Sequence, residues 1–243
     1  MKLKILGSNS AGNCYVLDGE RQSLLLECGV HPKLIKQAVD FDVSKIVGCL
    51  VTHEHLDHFK YVDDVASLGI NIYGSPGTLQ NKYGHRFFEV NPIDRFFVGE
   101  FEVKAFPVIH DARQPYGYII RHPDCGSVLF LTDSSYSGFK FVGINHFVVE
   151  ANHSLDLLQD KVLSGKMQHF VYDRLIKSHM SIETCQELIL ANNVSDIINI
   201  VLIHLSDANS KEEEFKKTIE AKTGKIVHIA RPGKEISLLP APF

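Results

Sequence analysis

The sequence predicts an α/β fold in which two sheets pack face to face and helices cover both outer surfaces, a four-layer αββα sandwich. Strand-like and helix-like segments alternate along the chain, and the first strands form hairpins through Asp18-Gly19-Glu20 before helices intervene. Apolar residues make up 44% of the 243 residues, which suffices for a sizeable core. Because no Pro/Gly/Ser-rich linker divides the chain, we expect a single domain over residues 1–243.

The first half of the chain begins with strands and continues with alternating helices and strands. Met1 to Gly7 lacks the apolar segment and cleavage site of a signal peptide and predicts a first strand instead. The apolar, β-branched run from Ile46 to Thr52 predicts a buried strand. Predicted strands in this half cover residues 3–7, 14–18, 23–27, 46–52, 70–73, 96–98 and 101–107, and predicted helices cover 32–39, 59–68 and 76–83.

The second half has the same alternation. Ser181 is a good N-cap for a helix that leads directly to a further strand. In the last helix, Glu212/Lys216 and Glu213/Lys217 lie four residues apart and indicate a solvated face. Predicted strands cover residues 117–121, 127–132, 146–150, 197–203 and 226–229, and predicted helices cover 155–163, 182–192 and 210–223.

The most informative segment is His53-Glu54-His55-Leu56-Asp57-His58, which directly follows the buried strand predicted over 46–52. His53 and His55 are two residues apart and can point the same way in extended backbone, whereas Asp57 and His58 can serve a second ion. Imidazole and carboxylate ligands suit zinc, with manganese or iron as alternatives. A solvated polar turn is the simpler interpretation, and it weakens because matching ligands follow downstream.

Three later apolar runs also end in metal-binding side chains. His110 follows Phe106 to Ile109, Asp133 follows Leu129 to Thr132, and His204 follows Ile200 to Ile203. Taken singly, each of the three would more often be an ordinary residue at a strand end or a helix cap. Taken with the first motif, they predict ligands gathered along one edge of a sheet.

His-x-His-x-Asp-His after an apolar strand, followed by these three residues in order, resembles the metallo-β-lactamase-fold superfamily of metal-dependent hydrolases. The resemblance covers nearly the whole chain and implies an αββα sandwich that binds two divalent metal ions, zinc or manganese, with iron as an alternative. Two cations about 3.5–4 Å apart can share a hydroxide that attacks the substrate. The resemblance implies two groups of three ligands and one bridging carboxylate: His53, His55 and His110; Asp57, His58 and His204; and Asp133.

Further segments resemble the YycJ (WalJ) group of this superfamily, regarded as metal-dependent 5′-to-3′ exonucleases. They are Ser8 to Cys14, His110 to Tyr118, Glu150 to His153, and Ser178 to Ser181. The pairing of Glu150 with a histidine that opens a late helix also resembles ribonuclease Z, where a Glu–His pair serves proton transfer.

These resemblances imply catalytic roles for Asp57, Glu150, His153 and His179. His179, oriented by Glu150, is the candidate acid for the leaving oxygen. His153 is the candidate residue for contacting the phosphate or for sharing the role of general acid with His179. The simpler alternative is that Ser181 caps its helix and that the His179 imidazole is merely nearby. Glu27 stands where the family usually has Asp, and we expect it to support the ligands from behind.

We therefore expect a dinuclear metal-dependent hydrolase, specifically a phosphodiesterase or nuclease acting on nucleic acid or nucleotide phosphodiesters. The formal charge of −4 is not the basic footprint of a protein that binds long nucleic acids tightly. This charge is compatible with the alternative of a small-molecule phosphodiesterase, for example one that acts on cyclic nucleotides. A thioester or lactone hydrolase and a non-catalytic metal-binding regulatory module are further alternatives, and the complete ligand set argues against the last.

Composition also predicts the cellular setting. No apolar run approaches the roughly 20 residues that span a bilayer, so no membrane partner is expected. Five scattered cysteines without a Cys-x-x-Cys motif indicate buried thiols in the reducing cytoplasm. The sequence leaves open a homodimer, the native metal and the choice between DNA and RNA.

Overall fold

A computed structural model describes residues 1–92 and 94–240 of the chain. Its strands are β1 (Lys2–Asn9), β2 (Gly12–Asp18), β3 (Ser23–Leu26), β4 (Ile46–Leu50), β5 (Ile72–Gly74), β6 (Phe87–Glu89), β7 (Arg95–Val98), β8 (Phe101–Pro107), β9 (Tyr116–His122), β10 (Gly126–Leu131), β11 (His146–Glu150), β12 (Asn199–Ile203), β13 (Ile226–Ile229) and β14 (Glu235–Ser237). Its α-helices are α1 (Pro32–Ala38), α2 (Leu56–Phe59), α3 (Val62–Ser67), α4 (Leu155–Leu163), α5 (His169–Ser178), α6 (Ile182–Leu190) and α7 (Glu212–Thr223).

The strands of the described residues form two seven-stranded sheets. The strand order is β14-β1-β2-β3-β4-β5-β6 in the first sheet and β13-β12-β11-β10-β9-β8-β7 in the second. Neighbouring strands from β3 to β6 are parallel, and so are those from β10 to β13. Because parallel strands end at the same edge of a sheet, the residues that follow them gather there, which is where ligands bind in sheets of this kind.

Alternation along each strand divides the core into layers. In β10, Val128 and Phe130 belong to the apolar layer between the two sheets. Leu129 and Leu131 belong instead to the layer beneath α6 and α7. A third apolar layer lies between the first sheet and helices α1 and α3. The four-layer αββα sandwich predicted from the sequence is therefore confirmed.

Two predicted helices differ from the structure. Residues 76–81 form turns instead of the helix predicted over 76–83, and the amide of Gly77 donates to the Gln114 side chain of a neighbouring loop. The helix predicted over 59–68 is split into α2 and α3. The split occurs because the Tyr61 amide donates to the Cys28 carbonyl at the end of β3 and does not continue the helical ladder.

Three elements were not predicted at all, namely α5, β6 and β14. The two strands have only three residues each and owe their existence to pairing with β5 and β1. No helix of the described residues combines the length and the apolar character needed to cross a membrane. The single domain over 1–243 stays a prediction, and its last three residues lie outside the described part of the chain.

Candidate metal centre and active site

The predicted ligands lie at the edge of the sheets where parallel strands end. His53 comes shortly after β4, Asp133 shortly after β10, and His204 directly after β12. Asp133, His204 and Glu27 have positive φ angles of 44°, 52° and 65°. Such left-handed conformations are unfavourable for residues other than glycine and persist only where the surrounding structure holds them. Here they occur at three residues whose side chains converge.

A first ligand group consists of His53, His55 and His110, whose ligand atoms lie within 4.8 Å of one another. His110 Nε2 lies 3.1 Å from His55 Nδ1. In two of the three rings the other nitrogen has an outer partner: His110 Nδ1 donates to the Ser178 carbonyl at 2.7 Å, and His53 Nδ1 lies 2.9 Å from Thr52 Oγ1. Outer hydrogen bonds of this kind fix the ring and leave Nε2 available for a metal.

A second ligand group consists of Asp57, His58 and His204 together with Asp133, again within 4.8 Å of one another. His58 Nε2 lies 3.3 Å from Asp57 Oδ2, and His204 Nε2 lies 3.6 Å from the same oxygen. Both histidines are buried, whereas the Asp57 side chain is 21% exposed. Asp57 is therefore the member of this group that faces the outside.

Asp133 lies between the two groups. Its Oδ2 is 3.3 Å from His58 Nε2 in the second group. The same oxygen is 3.7 Å from His110 Nε2 and 3.8 Å from His53 Nε2 in the first group. This is the position that a carboxylate shared by two cations would need.

Unpaired buried atoms test whether the residues fit metal ions. His53 Nε2 and His204 Nε2 are buried without a hydrogen-bond partner among residues 1–92 and 94–240. An unsatisfied buried polar atom costs about 1–3 kcal/mol, so an additional binding partner is expected there. Imidazole and carboxylate donors are those that zinc and manganese take in proteins. The residues present therefore fit divalent cations.

Charges differ between the two groups in the metal-free protein. Burial opposes the charged imidazole of His204, but Asp133, Asp57 and Glu150 together outweigh it and raise the pKa of His204 to about 10. The pKa of His58 is raised in the same way, against burial, by Asp133 and Glu27. In the first group, burial and the neighbouring His58 lower the pKa of His53. Without metal, the charged imidazole is therefore favoured in His58 and His204 and disfavoured in His53.

Glu150 lies behind the second group and is completely buried. Its Oε1 accepts hydrogen bonds from His179 Nδ1 at 2.8 Å and from His204 Nδ1 at 2.9 Å. Its Oε2 accepts from the amides of Ser134 at 3.1 Å and Met180 at 3.0 Å. Burial opposes ionisation of this carboxyl, but the neighbouring His179 outweighs it and the pKa of Glu150 falls to about 2. Four donors thus hold an ionised carboxylate in one orientation.

His153 lies close to this carboxylate but beneath the surface. Its side chain is fully buried, and neither ring nitrogen has a partner within the described part of the chain. Burial lowers the pKa of His153 to about 4, despite the nearby Glu150. The structure thus brings His153 near the Glu150–His179 pair as a neutral imidazole.

Asn13 is a site residue that the sequence interpretation missed. Its Nδ2 lies 3.3 Å from Asp57 Oδ2 and 3.1 Å from His58 Nε2, and Tyr15 OH donates to its Oδ1 at 3.3 Å. The polar loop from Ser8 to Cys14 had been singled out, but its spacing does not show which side chain turns inward. A buried Asn at the start of a strand was the available signal.

Glu27 supports the ligands from behind. Its Oε1 lies 3.4 Å from His58 Nδ1, the ring nitrogen that faces away from the ligand group. Its Oε2 accepts a hydrogen bond from the Thr52 amide at 3.3 Å, next to His53. Glu27 therefore contacts His58 on the side that faces away from the ligand group, and it also binds the backbone of Thr52, the residue before His53.

Comparison with known proteins agrees with this geometry. Residues 25–158 match the family model of the beta-lactamase superfamily domain. The chain is 30% identical over 234 residues to exodeoxyribonuclease YycJ of Bacillus anthracis, covering 87% of this chain and 85% of that protein. It is 27% identical over 231 residues to exodeoxyribonuclease WalJ of Streptococcus pneumoniae serotype 2, covering 87% and 84%.

Among solved structures, the metallo-beta-lactamase fold protein YhfI from Bacillus subtilis superposes with a TM-score of 0.73 at 17% identity. The match covers 97% of this chain and 98% of that one, and at this identity it supports the fold alone. The fold, the converging His and Asp side chains and the family match agree with one another. The chain therefore belongs to the beta-lactamase superfamily and is a hydrolase of the metallo-β-lactamase fold.

Proposed function

We propose that this protein is a dinuclear metal-dependent phosphodiesterase that degrades nucleic acid as a 5′-to-3′ exonuclease. The observation that carries the proposal is the pair of ligand groups on either side of Asp133, with the Glu150–His179 pair next to them. The relatives named exodeoxyribonucleases support a nucleic-acid substrate.

In this proposal the first group holds one cation and the second group holds the other, with Asp133 shared between them. Zinc or manganese fits the donors, with iron as an alternative. When bound, the two cations would neutralise phosphate charge and activate water for attack on phosphorus. Asp57, the most exposed ligand of its group, is the ligand that would face the substrate.

His179 is proposed to give its proton to the leaving oxygen. Its Nδ1 is bound to Glu150, so Nε2 is the atom that can donate to a substrate. The ring centroid lies 5.4 Å from those of His110 and His204, between the two groups, and the side chain is 18% exposed. Burial opposes the charged form, but Glu150 outweighs it and raises the pKa of His179, which favours the acid form near neutral pH.

His153 is proposed to act through this pair. Because its side chain is fully buried, a positioning role next to Glu150 and His179 is better supported than direct contact with phosphate. A neutral imidazole at this place limits how the Glu150–His179 pair can rearrange.

A substrate screen tests the proposed function. The purified protein, supplied with Mn²⁺, is assayed on 5′-phosphorylated DNA, the matching RNA, cyclic nucleotides, bis-p-nitrophenyl phosphate and a thioester. We expect hydrolysis of the phosphodiesters and release of mononucleotides from the 5′ end. A preference for the thioester, with no phosphodiester cleaved, would refute the proposal.

A small-molecule phosphodiesterase is the second candidate, and the net charge of −4 favours it. The two candidates differ in how activity depends on substrate length. Cyclic nucleotides cleaved with a higher kcat/KM than any oligonucleotide would support the second candidate.

All five cysteines are buried and free, which supports our proposal that the protein works in the reducing cytoplasm. A homodimer stays a prediction, and light scattering on the metal-loaded protein tests it.

A further inference from the structure

We propose that a cavity beside the second ligand group binds a phosphate of the substrate next to the scissile one. The proposal rests on the phosphodiesterase function proposed above. The cavity has a volume of about 280 Å³ and is lined by glycine backbone, by apolar side chains such as Leu6 and Val30, and by the polar side chains of Asn9, His31, Lys60 and Tyr61. None of these residues belongs to the two ligand groups.

Gly29 lines the cavity and also packs against the segment that carries the second ligand group. A Cβ added to Gly29 would lie 1.8 Å from the Asp57 carbonyl oxygen, and the Gly29 amide donates to the Asn13 carbonyl at 2.9 Å. Asn13 Nδ2 in turn lies 3.1 Å from His58 Nε2. The cavity and the second ligand group thus share neighbouring backbone, and in this proposal one substrate reaches both by passing over Gly29.

The chemistry of the cavity suits an anion. Within the described part of the chain, no carboxylate lines it and none pairs with the Lys60 ammonium within 4.0 Å. The Nδ1 of His31 accepts a hydrogen bond from the Lys33 amide at 3.2 Å, which places the proton of the neutral imidazole on Nε2. Lys60, His31 Nε2 and the Tyr61 hydroxyl thus supply one cation and two donors, a set that binds phosphate.

The backbone that carries these donors is held rigidly. The Cys28 amide donates to the His58 carbonyl at 2.8 Å, and the Tyr61 amide donates to the Cys28 carbonyl at 3.1 Å. The segment from His58 to Tyr61 therefore runs from a ligand to the cavity while bonded to the end of β3. The backbone of Lys60 and Tyr61 is therefore held in place, so that binding has to order only their side chains.

The cavity continues into a longer groove. Leu6 and Pro232 line both the cavity and a neighbouring groove of about 560 Å³. Lys2 and Lys4 in the groove are paired with Glu235 at 2.8 Å and Asp18 at 2.7 Å, so their charges are largely balanced. The groove offers room for a longer chain, and the Lys234 ammonium that also lines it donates to the Ile229 carbonyl at 3.0 Å. This arrangement favours an oligonucleotide strand over a mononucleotide.

Binding without metal tests the cavity separately from catalysis. Fluorescence anisotropy with a 3′-labelled, 5′-phosphorylated single strand is measured in EDTA for the wild type, Lys60→Ala and Lys33→Ala. We expect Lys60→Ala to raise the Kd by roughly 10-fold or more, the usual loss for one hydrogen bond to a charged group. Lys33→Ala removes the same charge from α1 outside the cavity and serves as the matched control. Equal losses in both variants, or no binding by the wild type, would overturn the proposal.

Kinetics with two substrates adds a second criterion. His31→Asn keeps a side-chain oxygen that can cap α1, so it removes the imidazole donor while the helix stays capped. We expect Lys60→Ala and His31→Asn to raise KM on the oligonucleotide with little change on bis-p-nitrophenyl phosphate, which has no second phosphate. Parallel losses on both substrates would contradict the cavity. Failure of the wild type on every phosphodiester would instead refute the proposed function, while the anisotropy result would still decide the cavity.

Discussion

His179 Nδ1 donates a hydrogen bond to Glu150 Oε1 at 2.8 Å. The same carboxylate oxygen accepts from His204 Nδ1 at 2.9 Å. One buried carboxylate therefore orients both the proposed acid and a proposed metal ligand.

The role of His179 predicts a difference between substrates. His179→Ala should lower kcat by about 10²–10⁴-fold on an oligonucleotide, whose alkoxide leaving group needs a proton. A nitrophenolate departs without help, so the same variant should lose much less on bis-p-nitrophenyl phosphate. Steady-state kinetics on both substrates and elemental analysis of the variant provide the check. Equal losses would indicate positioning instead of acid catalysis, and loss of metal would place His179 among the ligands.

Metal content should follow the two ligand groups. We expect elemental analysis to find about two transition ions per chain after gentle purification, because the predicted ligands form two groups, one on either side of Asp133. Asp133→Ala should reduce binding at both groups, whereas His204→Ala should mainly reduce binding at the second. His228→Ala on β13 is the control and should keep the wild-type content. A single ion retained at saturating metal would contradict the assignment of two sites.

Metal binding should release protons from the second group. The pKa of His58 and of His204 is raised in the metal-free protein, so both imidazoles are protonated at pH 7 and must lose their protons to bind metal. Calorimetric titration in buffers of different ionisation enthalpy should show about two protons released per chain on full loading. Because a raised pKa lets protons compete at higher pH, acidification should remove the second cation before the first. Simultaneous loss of both ions would argue against this difference between the groups.

Gly29 should tolerate no side chain. A Cβ at this position would lie 1.8 Å from the Asp57 carbonyl and 2.8 Å from the Asn13 amide, both of which are backbone atoms. Gly29→Ala should therefore cost about 1–3 kcal/mol of unfolding free energy and shift the Asp57–His58 segment, with a lower affinity for the second metal. Thermal denaturation and metal titration measure the two effects. Gly138→Ala, whose nearest neighbouring atom would be 3.8 Å away, is the control. A wild-type Tm for Gly29→Ala would show that the segment can move freely.

Seven ligand residues were predicted from the sequence because their signals are local. Each lies within a short motif or directly after an apolar run, as His204 does after Ile200 to Ile203. The structure brings these residues together, since parallel strands end at a common edge. The layered sandwich was predictable for a similar reason, because apolar, strand-like runs that alternate with helix-like segments are visible in the chain.

Other features depend on partners that are distant in sequence. The helix predicted over 59–68 breaks because Tyr61 bonds to Cys28, and β14 exists because it pairs with β1 at the other end of the chain. No spacing rule reveals such contacts, since a neighbour that the fold supplies can override the local propensity for helix or strand.

In the candidate site, too, the sequence determined some features and the fold decided others. The sequence by itself determined which side chains can bind metal, because imidazole and carboxylate are properties of single residues. Only the tertiary structure decided that Asn13 points at His58, that Glu150 holds both His179 and His204, and that Lys60 lines a cavity across Gly29. Packing between elements sets these contacts, so the order of residues along the chain does not show which way these side chains point.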